Sequence, residues 1–303
     1  MIPTREQEVA VLRSVVYASL FDYPLEPAQL ESSLIGIGAD AATIDRWWRE
    51  SDLLQAAIEY RDGLYFPAGR SDLVATRSRR EAVSREQLDR DRRILSLVAH
   101  MPFVRMVALS GSLAHLNAEG SADLDLFVIT APKRVWSVTV ATVVVSKLLG
   151  WRRRLCMNYV VSERAMSIEP RDLFSANQII HLRPLMGHKV FERFVASNGF
   201  VREFYPNFEL TGPKTQDPSP KTLFERALSL GFAQAAEGIA RLSYGWHLRR
   251  RSASWQSSDQ VRLEPECLKL HTSSHRASTL AKFDAAMAEI LAREPVTAVV
   301  ARR

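Results

Sequence analysis

Apolar residues recur at helical spacing from Glu6 to Phe21, at Val9, Leu12, Val15, Val16 and Leu20, and Asp22-Tyr23-Pro24 ends the run. The pattern predicts a helix there, a second from Pro27 to Leu34 with proline in its first turn, and a third from Ala41 to Glu50 after the Gly36-Ile37-Gly38 break. Leu53 to Tyr60 and Leu64 to Phe66 read as two short strands around Arg61-Asp62-Gly63, since Asp-Gly supplies the positive φ angles of a tight hairpin. From Arg70 to Arg93 arginines alternate with Glu81, Glu86, Asp89 and Asp91 at helical spacing, which predicts a solvated, ion-pair-laced connecting helix, docked at its end by Ile94, Leu95, Leu97 and Val98. Met101-Pro102 marks a boundary.

Beyond it the period shortens. Phe103 to Leu109 reads as a buried strand, Ser110-Gly111-Ser112 as a turn, and Leu113 to Leu116 as the start of a helix. A second strand, Leu126 to Thr130, is opened by Asp123-Leu124-Asp125. A helix from Val135 to Leu149, a basic turn Arg152-Arg153-Arg154 and a third strand, Leu155 to Ser162, follow. After Pro170 the chain reads as mainly helical, at Leu173 to Leu182, Lys189 to Ala196, Leu223 to Leu248 and Thr279 to Leu291, with Gly212 to Pro220 as a proline-rich linker. Three helices followed by a hairpin make residues 1–69 resemble a winged helix-turn-helix domain. Its third helix carries Arg46 and Arg49 but also Trp47 and Trp48, so docking or dimerisation is favoured over DNA reading, although DNA stays open as a partner.

Composition narrows the chemistry only a little. The 303 residues carry 40 Lys+Arg against 34 Asp+Glu, a net charge of +6, which suits nucleotides, nucleic acid or acidic lipid without choosing among them. Cys156 and Cys267 lie far apart, so neither a disulfide framework nor a paired-cysteine zinc site is expected, and the compartment is expected to be reducing. The first residues lack the apolar stretch of a signal peptide, and the apolar run from Val135 to Ser146 is shorter than the ~20 residues that span a bilayer. A cytoplasmic protein with no membrane partner is the expectation.

Two clusters carry candidate chemistry. A Gly-Ser turn between a strand and a helix start frees backbone N–H groups and admits an anion, so Gly111 and Ser112 are a candidate phosphate cradle. Residues two apart on a strand share a face, so Asp123 and Asp125 are expected to present carboxylates side by side. Such a pair repels itself unless a hard cation such as Mg²⁺ sits between them. Gly111-Ser112, ten intervening residues, Asp123-x-Asp125 and a third strand after a crossover helix resemble the nucleotidyltransferase superfamily of DNA polymerase beta, in its minimal bacterial branch. The likeness covers roughly Val104 to Ser162.

The resemblance implies that Gly111 and Ser112 hold the outer phosphates of a nucleoside triphosphate and that Asp123 and Asp125 bind the Mg²⁺ bridging them. An acceptor hydroxyl, on a small molecule, a protein or an RNA end, would attack the α-phosphorus and release pyrophosphate. The family's third carboxylate falls at Asn158, an amide that can ligate a hard cation but cannot act as a general base. Cys156, Asn158, Val160 and Ser162 are expected to share one face, with Glu163 on the other unless a bulge intervenes. The alternative to an enzyme is a catalytically impaired nucleotide-binding or DNA-binding regulator. His115, one turn beyond the Gly-Ser turn, reads as a helix histidine, His271 and His275 as a polar helix face at i, i+4 spacing, and Cys156 as a small core residue. The expected architecture is α+β: residues 1–69 winged-helix-like, 70–100 a connecting helix, 101–168 a nucleotidyltransferase core with a small mixed sheet and flanking helices, and 169–303 helical.

Overall fold

Thr4 opens α1 (Arg5–Ser19) with a reciprocal box: its hydroxyl accepts from the Gln7 amide, and the Gln7 side chain accepts from the Thr4 amide at 2.8 Å. α2 (Pro27–Ser32) and α3 (Ala41–Glu50) follow, the latter capped by Asp40 on the Thr43 amide. The strand expected from Leu53 starts later. Ser51 caps a further helix, α4 (Asp52–Ala57), because a good N-cap ahead of Asp-Leu-Leu-Gln-Ala-Ala outweighs the apolar run that suggested a strand. β1 (Ile58–Arg61) then pairs with β2 (Leu64–Pro67), and Asp62 and Gly63 both take positive φ, at 52° and 80°. On α3, Trp47 is buried, the Trp48 indole donates to the Ile58 carbonyl at 3.0 Å, and Arg49 pairs with Asp45 at 2.7 Å.

The charged segment forms α5 (Asp72–Ala99), 28 residues long. Its outer face is ion-paired as expected, with Arg85 on Glu81. The expectation of a solvated helix is corrected on the other side: Leu73, Arg77, Arg80, Ser84, Gln87, Asp91, Ile94 and Val98 recur every three or four residues and are all buried. Polar groups tolerate this seam because nearly every one is paired. Arg77 bonds the Pro24 carbonyl, Gln29 and Glu26, and its guanidinium lies 4.7 Å from the Tyr23 ring centroid.

The remaining elements are β3 (Val104–Leu109), α6 (Gly111–Ala114), β4 (Leu124–Thr130), α7 (Val135–Leu148), β5 (Leu155–Ser162), α8 (Leu173–Ile180), β6 (Arg183–Met186), α9 (His188–Ala196), α10 (Val201–Phe204), α11 (Leu223–Ser229), α12 (Phe232–Arg249), β7 (Val261–Glu264), β8 (Cys267–Leu270) and α13 (Arg276–Ala292). This computed structural model describes residues 2–120, 122–210, 215, 217, 223–229 and 232–292, so most of the expected linker from Gly212 to Pro220 lies outside the described residues. Residues 169–303 are not helical throughout, as the sequence suggested. They contribute β6, β7 and β8 to the central sheet, each only four residues long and too short to register as a period.

That mixed sheet has the order β6-β3-β4-β5-β8-β7. Only β4 and β5 run parallel, joined by the α7 crossover. Met106, Ala108, Phe127, Ile129, Tyr159 and Val161 face one layer, where the core is continuous with α1, α8, α9 and α13 and with the N-terminal helices. Val107, Leu109, Leu126, Val128 and Val160 face the other, under α5, α7 and α12. The N-terminal module and the sheet therefore share one apolar interior.

Gly187 starts α9 at φ +85°, and a Cβ there would sit 2.2 Å from the Arg105 carbonyl oxygen of β3. Both the left-handed backbone and the close approach demand glycine. Gly187→Ala is expected to cost about 3 kcal/mol in urea unfolding with an unchanged denaturant slope; an effect below about 1 kcal/mol would contradict this packing.

Candidate functional site

At the end of β3, Ser110 is extended, and its amide donates to the Asp125 carbonyl at 2.9 Å, carrying the β3–β4 ladder one residue past the strand. Gly111 then turns to φ +65°. A Cβ at this position would lie 2.6 Å from Asp125 Oδ2 and 3.3 Å from its Cγ. The turn thus packs its bare backbone directly on the Asp125 carboxylate, an approach only glycine permits. Ser112 follows in α6, and its carbonyl accepts the Asn117 amide at 2.8 Å. The first amides of a helix have no acceptor within it, and no side-chain cap closes this short one.

The segment from the turn to the aspartates is held by the buried seam of α5. Arg80 bonds Asn117 and Glu119, the Ser84 hydroxyl accepts the Ala118 amide at 3.0 Å, and Gln87 both accepts from the Ala122 amide at 3.0 Å and donates to its carbonyl. Asp91, fully buried, pairs with Arg154 at 2.8 Å, and the Arg154 carbonyl accepts the Leu124 amide at 2.7 Å. The basic turn is therefore partly internal: Arg154 supports the start of β4, while Arg152 and Arg153 are exposed.

The two aspartates do not both lie in the strand, where the periodicity predicts them. β4 begins at Leu124, so Asp123 precedes it and is exposed, and the Asp125 amide donates back to the Asp123 carbonyl at 3.1 Å, curling the chain between them. Asp125 alone is set into the sheet. Its neighbour is Asn158, whose Nδ2 donates to Asp125 Oδ1 at 2.7 Å, while Asn158 Oδ1 accepts from Cys156 Sγ at 2.7 Å. Cys156 is accordingly half-buried and engaged with the site rather than a core residue.

Asn158 reaches this position through a bulge. The register steps from Asp125 opposite Cys156 to Phe127 opposite Tyr159, so three residues of β5 oppose two of β4. Asn158 and Tyr159 consequently both line the same cavity, and Val160, expected on the face of Asn158, turns to the opposite layer. Glu163 is removed from the site and pairs with Arg193 at 2.5 Å.

Gly111, Ser112, Asp125 and Asn158 border a cavity of about 880 Å³. Among its described lining residues Arg80 is the sole Lys or Arg, and it is committed to Asp22 and Glu119. Burial, then the charge of Asp123, raise the Asp125 carboxyl to about 6, against the lowering effect of the Asn158 hydrogen bond. Burial and then the same two carboxylates push the Cys156 thiol up to about 11.

Histidines that the sequence left to helix faces also line the cavity. His115, the C-cap of α6, stacks on His181 with ring centroids 4.2 Å apart, and His181 Nδ1 bonds the Asn177 carbonyl at 2.9 Å. Burial lowers His115 well below the ordinary imidazole range, with His181 adding to the effect, and burial lowers His181 to about 4. His271 and His275 do not form a helical i, i+4 pair; both fall in the connection from β8 to α13 and border the cavity. His271 is lowered to about 4 by burial and by Lys269. Tyr17 adds a hydroxyl that has no hydrogen-bond partner among the described residues, and no sequence signal marked it or His181.

No family model, curated protein or solved structure matches the chain.

The raised Asp125 carboxyl has a consequence for stability. Its folded value lies above the ordinary 3.8, so the native state holds a proton that the unfolded chain has released between about pH 4 and pH 6. Stability is therefore expected to fall as pH rises through that window, and the fall should shrink in Asp125→Asn. Melting temperatures of both proteins from pH 4 to pH 7 measure this; parallel profiles would remove Asp125 as the cause.

Proposed function

We propose that the protein is an Mg²⁺-dependent nucleotidyltransferase that moves a nucleoside monophosphate from an NTP to a hydroxyl acceptor. The observation that carries this reading is the contact of the Gly111 backbone with the Asp125 carboxylate at the border of a large cavity. A glycine turn packed on a half-buried acid beside one cavity suits a phosphate and the cation that would bridge it.

The chemistry of the donors fits a hard divalent cation. Two carboxylates, one of them raised by burial and by the other, gain most from a bound cation, and oxygen ligands suit Mg²⁺. Among the described residues no three His, Cys, Asp or Glu side chains converge for a metal. Asp123 and Asp125 would hold it together with triphosphate oxygens, and Asn158 would contribute Oδ1 once its amide is turned over from the present hydrogen bond to Asp125. Bound there, the cation supplies neutralisation of the phosphates, which the cavity does not otherwise provide with its lone, paired arginine.

The chain's own groups then have distinct parts. Gly111 and Ser112 orient the phosphates through backbone N–H groups, and Asp125 is fixed by the Gly111 backbone above it and Asn158 beside it. A bond forms between the acceptor oxygen and the α-phosphorus, the bond from that phosphorus to the bridging oxygen breaks, and pyrophosphate leaves. Asn158 takes no proton from the acceptor, so the hydroxyl proton passes to another group or to water. A resemblance to the polymerase beta superfamily, with an N-terminal winged-helix-like module, supports the assignment from the sequence side. A docking role for that module fits the burial of Trp47 and the pairing of Arg49 with Asp45.

One observation favours the second reading, a regulator that binds nucleotide without turning it over: the amide at position 158. Incubation with α-labelled NTP, Mg²⁺ and a cell extract separates the two. Transfer of label to an acceptor is expected, with Asp123→Ala and Asp125→Ala each reducing it by about a hundredfold or more. Label transfer that survives in Asp125→Ala would overturn the enzyme reading, and an Mg²⁺-dependent, NTP-induced rise in melting temperature without transfer would establish the regulator. Asn158→Asp restores the missing carboxylate and is expected to increase transfer at pH 7 to 8; no increase would remove the base from the account.

A further inference from the structure

The positive charge of the chain is concentrated. From 126 to 162 and from 238 to 258 there is no aspartate or glutamate, while these stretches hold Lys133, Arg134, Lys147, Arg152 to Arg154, Arg241 and Arg249 to Arg251. The first stretch includes α7 and the second most of α12, and the two helices pack together, with Glu237 of α12 accepting the amides of Trp136 and Ser137 at the start of α7 at 2.9 and 2.8 Å. Among the described residues Lys147, Arg152, Arg153, Arg241 and Arg249 to Arg251 have no carboxylate partner.

The outward sides of the same helices are apolar. On α12, Phe232 is 85% exposed, Ile239 65%, Leu242 70% and Trp246 56%; on α7, Leu148 is 80% exposed and Val144 49%. Spacings of 7, 3 and 4 residues put the four α12 side chains on one stripe, opposite Ala233, Glu237 and Ala240, which are buried. A soluble surface seldom leaves so many large apolar side chains in water on one helix face. Arg250 lies with its guanidinium 3.7 Å from the Trp246 ring centroid, so the aromatic and basic ends of the stripe meet.

We propose that the α7–α12 face docks the protein on an anionic lipid surface. The apolar stripe would enter the headgroup–acyl boundary, and the unpaired arginines and Lys147 would meet lipid phosphates and carboxylates. Charge complementarity selects this occupant: seven cations with no carboxylate partner among the described residues, on two stretches that hold no aspartate or glutamate, disfavour a second copy of the same face, and the aliphatic stripe offers nucleic acid little to stack on. No described helix is long and apolar enough to cross a membrane, so the docking is peripheral. The proposal departs from the expectation of no membrane partner, and it is independent of the transferase reading because none of these residues is proposed to hold the metal or nucleotide.

The test is sedimentation of the full chain with vesicles of phosphatidylcholine, with and without phosphatidylserine. Binding is expected only to the phosphatidylserine vesicles and is expected to be lost as salt is raised. Arg249→Gln with Arg250→Gln should lower the partition coefficient about twenty-fivefold, from roughly fivefold for each basic residue near an anionic surface. Leu242→Glu should abolish binding; both variants are at exposed positions, and unchanged melting temperatures confirm the fold. Absence of binding to phosphatidylserine vesicles, binding insensitive to both variants, or a dimer in light scattering that Leu242→Glu dissociates would each overturn the proposal.

Discussion

The Gly111 backbone and the Asp125 carboxylate occupy adjoining volumes with no room for one further carbon between them. Much of the local structure serves that contact. The β3–β4 ladder continues through Ser110 to keep the turn over the acid, α6 starts at once to redirect the chain, and the bulge in β5 brings an amide to the carboxylate's other side. Were any of these displaced by a residue, the acid would face either solvent or bare apolar core, and its charge would lose the hydrogen bond that now offsets part of its burial.

The α5 seam is the counterpart of that contact at longer range. Arginines on a buried helix face are costly where donors lack acceptors, and here most find carbonyls, carboxylates or side-chain amides of the N-terminal segment and of the loop before Asp123, while Arg80 Nε finds none among the described residues. One helix thereby ties the first helices to the loop that carries the aspartates. Burial of these polar groups contributes less to net stability than apolar packing of the same volume would, but it fixes which loop conformation is adopted.

How much of this was legible in the sequence depends on which residues are asked. The periods of α1, α3, α7, β3 and β5 follow from apolar spacing, and the turn at Asp62-Gly63 from its need for positive φ. The sequence spacing singled out Gly111 and Asp125 as one candidate site, but not the packing of one on the other. Strand periodicity placed both Asp123 and Asp125 in the strand, yet the chain curls before β4 and leaves Asp123 outside it, and a bulge that composition does not announce sends Asn158 and Tyr159 to one face. Mixed charge on α5 looked like solvation because local pattern does not reveal tertiary partners such as Asn117 and Glu119. β6, β7 and β8 were missed because four residues pairing with distant strands leave almost no local signal.

The cavity has walls drawn from Ser14 at one end of the chain to His275 at the other, with the sheet and α8 between. A chamber assembled from such distant segments is a product of long-range closure, whose entropic cost is met only when the last segments dock. In folding time the pocket is therefore a late event, and no fragment ending before β8 contains it. A chain still emerging from synthesis would hold the acid and the glycine turn for many residues before it holds a chamber in which either can act.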